Sequence, residues 1–197
     1  MKYLVDSDFL ISLYKPTDSN HKKASEIFKG IGKTARLVAS NLVFQESTTV
    51  ISKQIGMEAA IKFYDLITKL IDEQLILENI LEKEAWKIFL KQTKKGTSFI
   101  DCANLAVCTK LKLDGILSFD EFYPKDKLVY SAYDLAVELN DLEHKSLYMR
   151  LAKNTPRGLM EASRSFVKDA ANARSKGRLF MWKLAQLKAG KISTNDK

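Results

Sequence analysis

Four acidic residues stand where predicted strands end or predicted helices begin: Asp6, Glu46, Asp101 and Asp120. Asp6 and Asp120 each follow a short apolar run of strand character, whereas Glu46 and Asp101 fall in the first turns of predicted helices. The C-terminal edge of a parallel sheet is where α/β folds build their sites, so we expect the four carboxylates to converge there. Carboxylates gathered without bases repel one another and are normally tolerated only around a cation. Oxygen ligands of this kind favour Mg²⁺ or Mn²⁺.

Short strands alternate with helices over the first two thirds of the chain. The apolar runs predict strands at Lys2–Val5, Arg36–Ala39, Leu75–Leu77 and Gly115–Ser118, with Leu128–Tyr130 as a candidate fifth strand. Strands joined by crossover helices imply a mainly parallel sheet that is covered on both faces. The predicted fold class is therefore α/β, with three α/β/α layers.

The pattern changes to continuous helix near residue 131, after which no strand pattern is found. We therefore predict three parts: a domain over residues 1–131, an all-α extension over residues 132–190 and a flexible tail over residues 191–197. The 197-residue chain has a formal net charge of +8. Residues 1–124 contain 17 Lys or Arg against 16 Asp or Glu, whereas residues 125–197 contain 15 against 8. The basic excess thus lies in the extension.

A basic helical extension has more than one explanation. It either docks on the first domain as scaffold or binds the backbone of a polyanion such as RNA. A third alternative is that it covers the acidic site in cis. For the second explanation, the candidate RNA-binding residues are Arg150, Lys153, Arg157, Arg174, Lys176 and Arg178.

Cysteine content and hydropathy bear on the compartment. Cys102 and Cys108 lie six residues apart in one predicted helix, too far for a disulfide, and are expected to be buried thiols in a reducing cytoplasm. Asp6 and Asp8 interrupt the N-terminal apolar run, so no signal peptide is predicted. No stretch approaches transmembrane length, and we expect a cytoplasmic protein that does not associate with membranes.

Four short motifs contain the acids: Val5-Asp6-Ser7, Gln45-Glu46-Ser47, Ser98-Phe99-Ile100-Asp101 with Ala106, and Leu117-Ser118-Phe119-Asp120. Their order and spacing resemble the PIN-domain nucleases, most closely the VapC-type toxin ribonucleases. This resemblance covers roughly residues 1–131. It implies a small α/β/α domain, a metal-dependent endoribonuclease, and Asp6, Glu46, Asp101 and Asp120 as the acidic quartet that is both catalytic and metal-binding.

The resemblance also implies a division of roles and a set of partners. We expect Asp6 and Asp101 to coordinate Mg²⁺ or Mn²⁺ directly, with Glu46 and Asp120 acting partly through waters. Ser7 and Ser118 are supporting hydroxyls, and Ser98 is expected to cap its helix. Asp8 departs from the family pattern. We interpret it as an exposed acid at a helix N-terminus, with a fifth ligand as the alternative. The implied partners are an RNA substrate, an antitoxin protein and a second copy of the chain as a homodimer.

Two other functions compete with the nuclease. Asp6-Ser7-Asp8 after a strand resembles the start of haloacid-dehalogenase phosphatases, which use the first Asp as a nucleophile. However, Leu10 stands where Thr or Val is usual, and no GDxxxD motif follows. The second alternative is a non-catalytic PIN-fold module that binds RNA or protein, which the presence of all four acids disfavours.

Overall fold

A computed structural model describes residues 1–32, 34–124, 127, 129–170 and 173–190. The chain divides into two compact units, residues 1–130 and 131–197. The predicted tail, residues 191–197, lies outside the described residues. No helix in the described ranges is long and apolar enough to cross a membrane.

Four parallel strands form the sheet of the first unit: β1 (Lys2–Val5), β2 (Arg36–Ser40), β3 (Glu73–Leu75) and β4 (Gly115–Leu117). Their order in the sheet is β3-β2-β1-β4, and all three pairings are parallel. The predicted mainly parallel α/β fold is therefore confirmed. β1 and β4 lie side by side in a register that pairs Val5 with Leu117, so the residues following them emerge together at one edge.

Helices lie between successive strands along the chain, as parallel pairing requires. They are α1 (Ser7–Tyr14), α2 (His21–Ile31), α3 (Asn41–Gln54), α4 (Met57–Leu70), α5 (Asn79–Phe89) and α6 (Phe99–Lys110). The core includes Leu4 of β1, Val38 of β2, Ile116 of β4 and Val107 of α6, all fully buried. Cys102 and Cys108 are buried free thiols, as expected.

Two predicted strands differ from the structure. β3 lies two residues before the predicted Leu75–Leu77, because its pairing with β2 matches Val38 with Glu73. The candidate fifth strand, Leu128–Tyr130, is wrong, since Val129 begins helix α7 (Val129–Glu138), and Leu128 itself is outside the described residues. Lys127, the residue before this segment, is nevertheless hydrogen-bonded to β4, because its carbonyl accepts the Ile116 N–H at 2.7 Å.

The second unit is helical in its described part. It contains most of α7, a 3₁₀ turn (Leu142–His144), α8 (Lys145–Asn154), α9 (Arg157–Asp169) and α10 (Lys176–Lys188). It has its own core, in which Tyr148, Phe180 and Leu184 are almost completely buried. The predicted all-α extension is confirmed as additional C-terminal helices.

Candidate active site

Asp6 lies directly after β1 and starts helix α1. Its backbone is extended, and its carboxylate Oδ1 accepts the Ser7 N–H at 2.7 Å, which is the geometry of a helix N-cap. The Asp6 N–H donates in turn to the Leu117 carbonyl of β4 at 3.0 Å, so the end of β1 is tied to the neighbouring strand. The side chain is only 3% exposed. Strand pairing therefore buries a carboxylate at the edge of the sheet.

Two neutral side chains from elsewhere in the chain complete the surroundings of Asp6. Asn104 Nδ2 of α6 donates to Asp6 Oδ1 at 2.9 Å, and the Tyr123 hydroxyl donates to Oδ2 at 2.8 Å. Asn104 also donates to the Tyr123 oxygen at 3.2 Å, and its own oxygen accepts from Ser40 at 3.5 Å. This network holds the carboxylate in one orientation with neutral donors only.

Asp101 lies in the first turn of α6 and faces the same network. The Ser98 N–H donates to its Oδ2 at 3.3 Å, while Ser98 Oγ accepts from Ile100 N at 3.1 Å, so Ser98 caps the helix as predicted. The Tyr123 hydroxyl lies 3.4 Å from Asp101 Oδ1. The nearest oxygens of Asp6 and Asp101 are thus no farther apart than the sum of 2.8 and 3.4 Å. The structure brings the two expected direct ligands together.

Glu46 and Asp120 act on Asp6 and Asp101 through their charge. Glu46 lies half-buried in α3, and its charge raises the pKa of both Asp6 and Asp101. Asp120 is exposed; its Oδ1 accepts the Phe122 N–H at 2.7 Å, and its charge raises the pKa of Asp101. Glu46 therefore acts electrostatically on both carboxyl groups and Asp120 on that of Asp101, and their outer role at a metal stays a prediction.

Asp8 is not the exposed acid that we expected. It is half-buried, its Oδ2 accepts the Phe119 N–H at 2.7 Å, and its Oδ1 is buried with no hydrogen-bond partner among the described residues. The prediction failed because the loop after β4 packs over the start of α1 and covers the carboxylate. A buried carboxylate oxygen without a donor is rare and calls for a water or a cation.

The supporting hydroxyls differ in what they contact. Ser118 is buried, accepts the Asp120 N–H at 3.0 Å, and hydrogen-bonds with Asp6 and Asp8, which lowers the pKa of each. Ser7 is also buried, but its hydroxyl lies 3.5 Å from the Val43 carbonyl. The site therefore contains Ser118 directly, whereas the Ser7 hydroxyl bonds to the backbone of α3.

Burial and mutual repulsion raise the pKa of three carboxyl groups. Desolvation is the main cause in each: the pKa of Asp6 rises to about 6, and those of Asp8 and Asp101 rise to about 7. The charge of Asp6 is the second cause for both Asp8 and Asp101. Burial and the same carboxylates raise the pKa of Tyr123 well above its usual value, so its hydroxyl stays protonated. Within the described part of the chain, no basic side chain is among the main groups that shift the pKa of these three carboxyls.

The donor chemistry of the site fits a hard divalent cation. Within the described ranges no group of three or more acidic, His or Cys side chains is arranged closely enough to hold a metal ion by itself. Mg²⁺, however, commonly takes one or two carboxylates and fills its remaining positions with water and phosphate oxygens. Asp6 and Asp101 meet that requirement. The unpartnered oxygen of Asp8 and the raised pKa values are the features that a bound cation would relieve.

Comparison with known proteins agrees with this geometry. The model of the PIN domain matches residues 3–125, well over half of the chain. The chain belongs to the PIN-domain family. Family membership supports a nuclease, that is, a hydrolase, and disfavours the haloacid-dehalogenase alternative.

The first unit is similar in structure to a toxin of known structure. The crystal structure of Mycobacterium tuberculosis VapC20, a sarcin–ricin loop cleaving toxin, matches with a TM-score of 0.56 and 22% identity. The match covers 61% of this chain and 91% of VapC20. A sequence comparison with curated proteins gives no match. The VapC20 likeness confirms the PIN fold of the first unit.

The candidate RNA-binding residues lie in the second unit. Arg150, Arg174 and Arg178 are exposed, and Lys176 is half-buried. The side chains of Lys153 and Arg157 lie outside the described residues. RNA binding by these positions stays a prediction.

Sequence reasoning missed Asn104 and Tyr123. Asn104 follows Asp101 by three residues, so the two share one face of α6, and it is a polar residue in an otherwise apolar stretch. That combination could have marked it. Tyr123 carried a weaker signal, since an aromatic residue three positions after Asp120 is equally typical of a core contact.

Proposed function

We propose that this chain is a Mg²⁺- or Mn²⁺-dependent endoribonuclease that hydrolyses phosphodiester bonds, and that it acts as the toxin of a toxin–antitoxin pair. The observation that carries the proposal is the Asp6–Tyr123–Asp101 arrangement, in which a buried and a half-buried carboxyl group, both with raised pKa values, contact the same neutral hydroxyl. PIN-family membership and the structural likeness to a toxin support it. VapC20 cleaves an RNA loop, which favours RNA as the substrate class here.

The residues of the site divide the work. Asp6 and Asp101 would hold the metal, with Glu46 and Asp120 at its periphery. When bound, the metal supplies an activated water and neutralises charge on the phosphate and the leaving oxygen. Asn104 and Tyr123 fix the orientation of Asp6, and the Ser98 N–H fixes that of Asp101. The hydroxyl of Ser118 holds Asp6 and Asp8 near the end of β4.

Cleavage of labelled RNA tests the proposal. Wild-type protein should cut RNA with Mg²⁺ or Mn²⁺, and Asp6→Asn should not, because the amide removes one negative charge from the pair. Asp65→Asn is the matched control, since Asp65 is an exposed acid on α4, and it should cut like wild type. Calorimetric titration with Mn²⁺ gives a second readout, in which Asp6→Asn should lose binding. Cleavage that persists in excess EDTA would refute the metal-dependent mechanism.

The partner predictions have separate tests. A toxin of this class should be inhibited by an antitoxin encoded by a neighbouring gene, which co-expression and pull-down would detect. The homodimer is a prediction for light scattering coupled to gel filtration. Cleavage by a chain that has no inhibitory partner would leave the nuclease proposal standing and contradict the toxin–antitoxin part.

A further inference from the structure

The second unit exposes two aromatic side chains that its own core does not use. Trp182 of α10 is 52% exposed and Phe166 of α9 is 36% exposed. Neither belongs to the core cluster around Tyr148 and Phe180. Both rings leave apolar surface in contact with water, although the unit buries other aromatic side chains in its core. Two adjacent exposed aromatic rings therefore mark a candidate binding surface.

The two rings form a fixed arrangement on the α9–α10 pair. Their centroids are 6.1 Å apart with an angle of 38° between the planes. The ammonium of Lys183 lies 4.5 Å from the Phe166 centroid, a cation–π contact that occupies that ring. Phe166 thus supports Trp182 from one side, and the indole is the more exposed ring. An exposed indole backed by a second ring is the kind of surface on which a nucleobase stacks.

The charge of the segment that contains this pair is predominantly positive. Residues 145–190 contain eleven Lys or Arg and only two Asp or Glu, Glu161 and Asp169. Arg178, which is exposed, precedes Trp182 by four residues and therefore lies beside it on the same helix face. Lys183 is fixed at the ring pair itself. The phosphates on either side of a stacked base would contact these cations. An apolar or cationic partner would offer no negative charge to them.

We propose that Trp182, supported by Phe166 and flanked by Arg178 and Lys183, is a base-stacking platform that binds single-stranded nucleic acid. The surface is complementary to the base faces and phosphates that RNA and DNA share; the choice of RNA rests on the proposed function. Binding at the platform needs no metal and no reaction at Asp6, so it can be measured apart from cleavage.

The test uses the full chain in EDTA and fluorescence anisotropy of a labelled oligouridine 12-mer. Trp182→Leu keeps an apolar side chain but removes the π face, so binding should weaken about tenfold, whereas Trp182→Phe should stay within about threefold of wild type. Lys183→Gln should reduce the slope of log affinity against log salt by about one. Asp169→Asn, three residues after Phe166, should strengthen binding.

A second measurement covers the case in which Trp182→Leu does not fold. The chain has two tryptophans, so a Trp86→Phe background leaves Trp182 as the sole indole, and oligouridine should quench its emission. Parallel titrations use oligodeoxyuridine, a 12-base-pair RNA duplex and vesicles of phosphatidylserine and phosphatidylcholine. Comparable binding of oligouridine and oligodeoxyuridine supports the platform. Tighter binding of oligouridine than of oligodeoxyuridine further supports RNA as its ligand.

Three results would overturn the platform. They are equal binding by Trp182→Leu and Trp182→Phe, duplex binding as tight as single-strand binding, and quenching by vesicles but not by RNA. The outcome is distinguishable from that of the nuclease proposal. Metal-dependent cleavage without Trp182 quenching contradicts the platform alone, whereas quenching without cleavage contradicts the nuclease alone.

Discussion

Removing the Tyr123 hydroxyl should destabilise the first unit in a way that depends on pH. The hydroxyl donates to the buried Asp6 carboxylate at 2.8 Å and accepts from Asn104 at 3.2 Å. Tyr123→Phe keeps the buried ring and deletes both bonds, together with the longer contact of 3.4 Å to Asp101 Oδ1. A hydrogen bond to a charged group is worth roughly 1.5–3 kcal/mol, so the free energy of unfolding should fall by about 2 kcal/mol at pH 7.5 without metal.

The sign of the pH dependence follows from the effect of this bond on Asp6. Burial raises the pKa of Asp6 to about 6, and the Tyr123 hydrogen bond opposes that rise because it favours the carboxylate. Its contribution is therefore present above pH 6 and is lost as the pH falls through about 6. The deficit of Tyr123→Phe should accordingly shrink at pH 5.

Urea unfolding followed at one tryptophan measures this deficit. In a Trp182→Phe background the remaining indole, Trp86 of α5, reports on the first unit. Tyr14→Phe is the matched control, because the Tyr14 hydroxyl donates at 3.2 Å to the neutral carbonyl of Ala59, and its cost should be smaller and independent of pH. A Tyr123→Phe deficit no larger than that of Tyr14→Phe, or equal at both pH values, would refute the reasoning.

Three further predictions concern stability. Without metal, the free energy of unfolding of the first unit should fall as the pH rises from 4 to 7.5, because folded Asp6 keeps its proton to about pH 6. The rise of the Asp6 pKa from 3.8 to about 6 corresponds to a loss of roughly 3 kcal/mol. Urea titrations should measure this loss at pH 7.5 and show that Mn²⁺ restores it. Arg164→Ala should lower the free energy of unfolding of the second unit by about 1 kcal/mol, since Arg164 donates two hydrogen bonds to the Glu138 carboxylate. Lys168→Ala is the control for thermal unfolding and should have little effect, because the Lys168 ammonium lies 4.0 Å from that carboxylate. Gly177→Ala should lower the melting temperature of the second unit, because a Cβ would lie 2.7 Å from the Tyr148 hydroxyl and against the Asp141 carboxylate, while Gly158→Ala, with open space, should not.

The sequence was sufficient for features that are set by neighbouring residues. Strand β1 was predicted with its observed bounds, and Asp6 was placed at its end, because a short apolar run followed by a capping residue carries both facts locally. The Ser98 cap was predicted for the same reason. Local chemistry therefore placed Asp6 and Asp101 correctly at the starts of their helices. The placement of Glu46 in the first turn of its helix was wrong, because α3 begins at Asn41 and Glu46 lies one turn further on.

Features that depend on contacts between distant residues could not be predicted from local sequence patterns. Asn104 bonds to Asp6 across 98 positions and Tyr123 does so across 117, so no spacing rule connects them. The bounds of β3 are fixed by pairing with β2 and by the bond from Leu37 N to Asp72 Oδ2 at 2.7 Å, not by the apolar run that follows. The burial of Asp8 likewise depends on the loop at Phe119.

The neutrality of the donors around Asp6 explains how one arrangement could serve both folding and the proposed cation binding. A lysine at the position of Asn104 or Tyr123 would satisfy the carboxylate and also cancel its charge, leaving little attraction for a divalent ion. Amide and hydroxyl donors satisfy the oxygens but leave the charge in place. The result is a set of acids with raised pKa values whose burial is costly without a cation. In the proposed metal-dependent nuclease, the instability of the metal-free site and its affinity for metal would have the same physical origin.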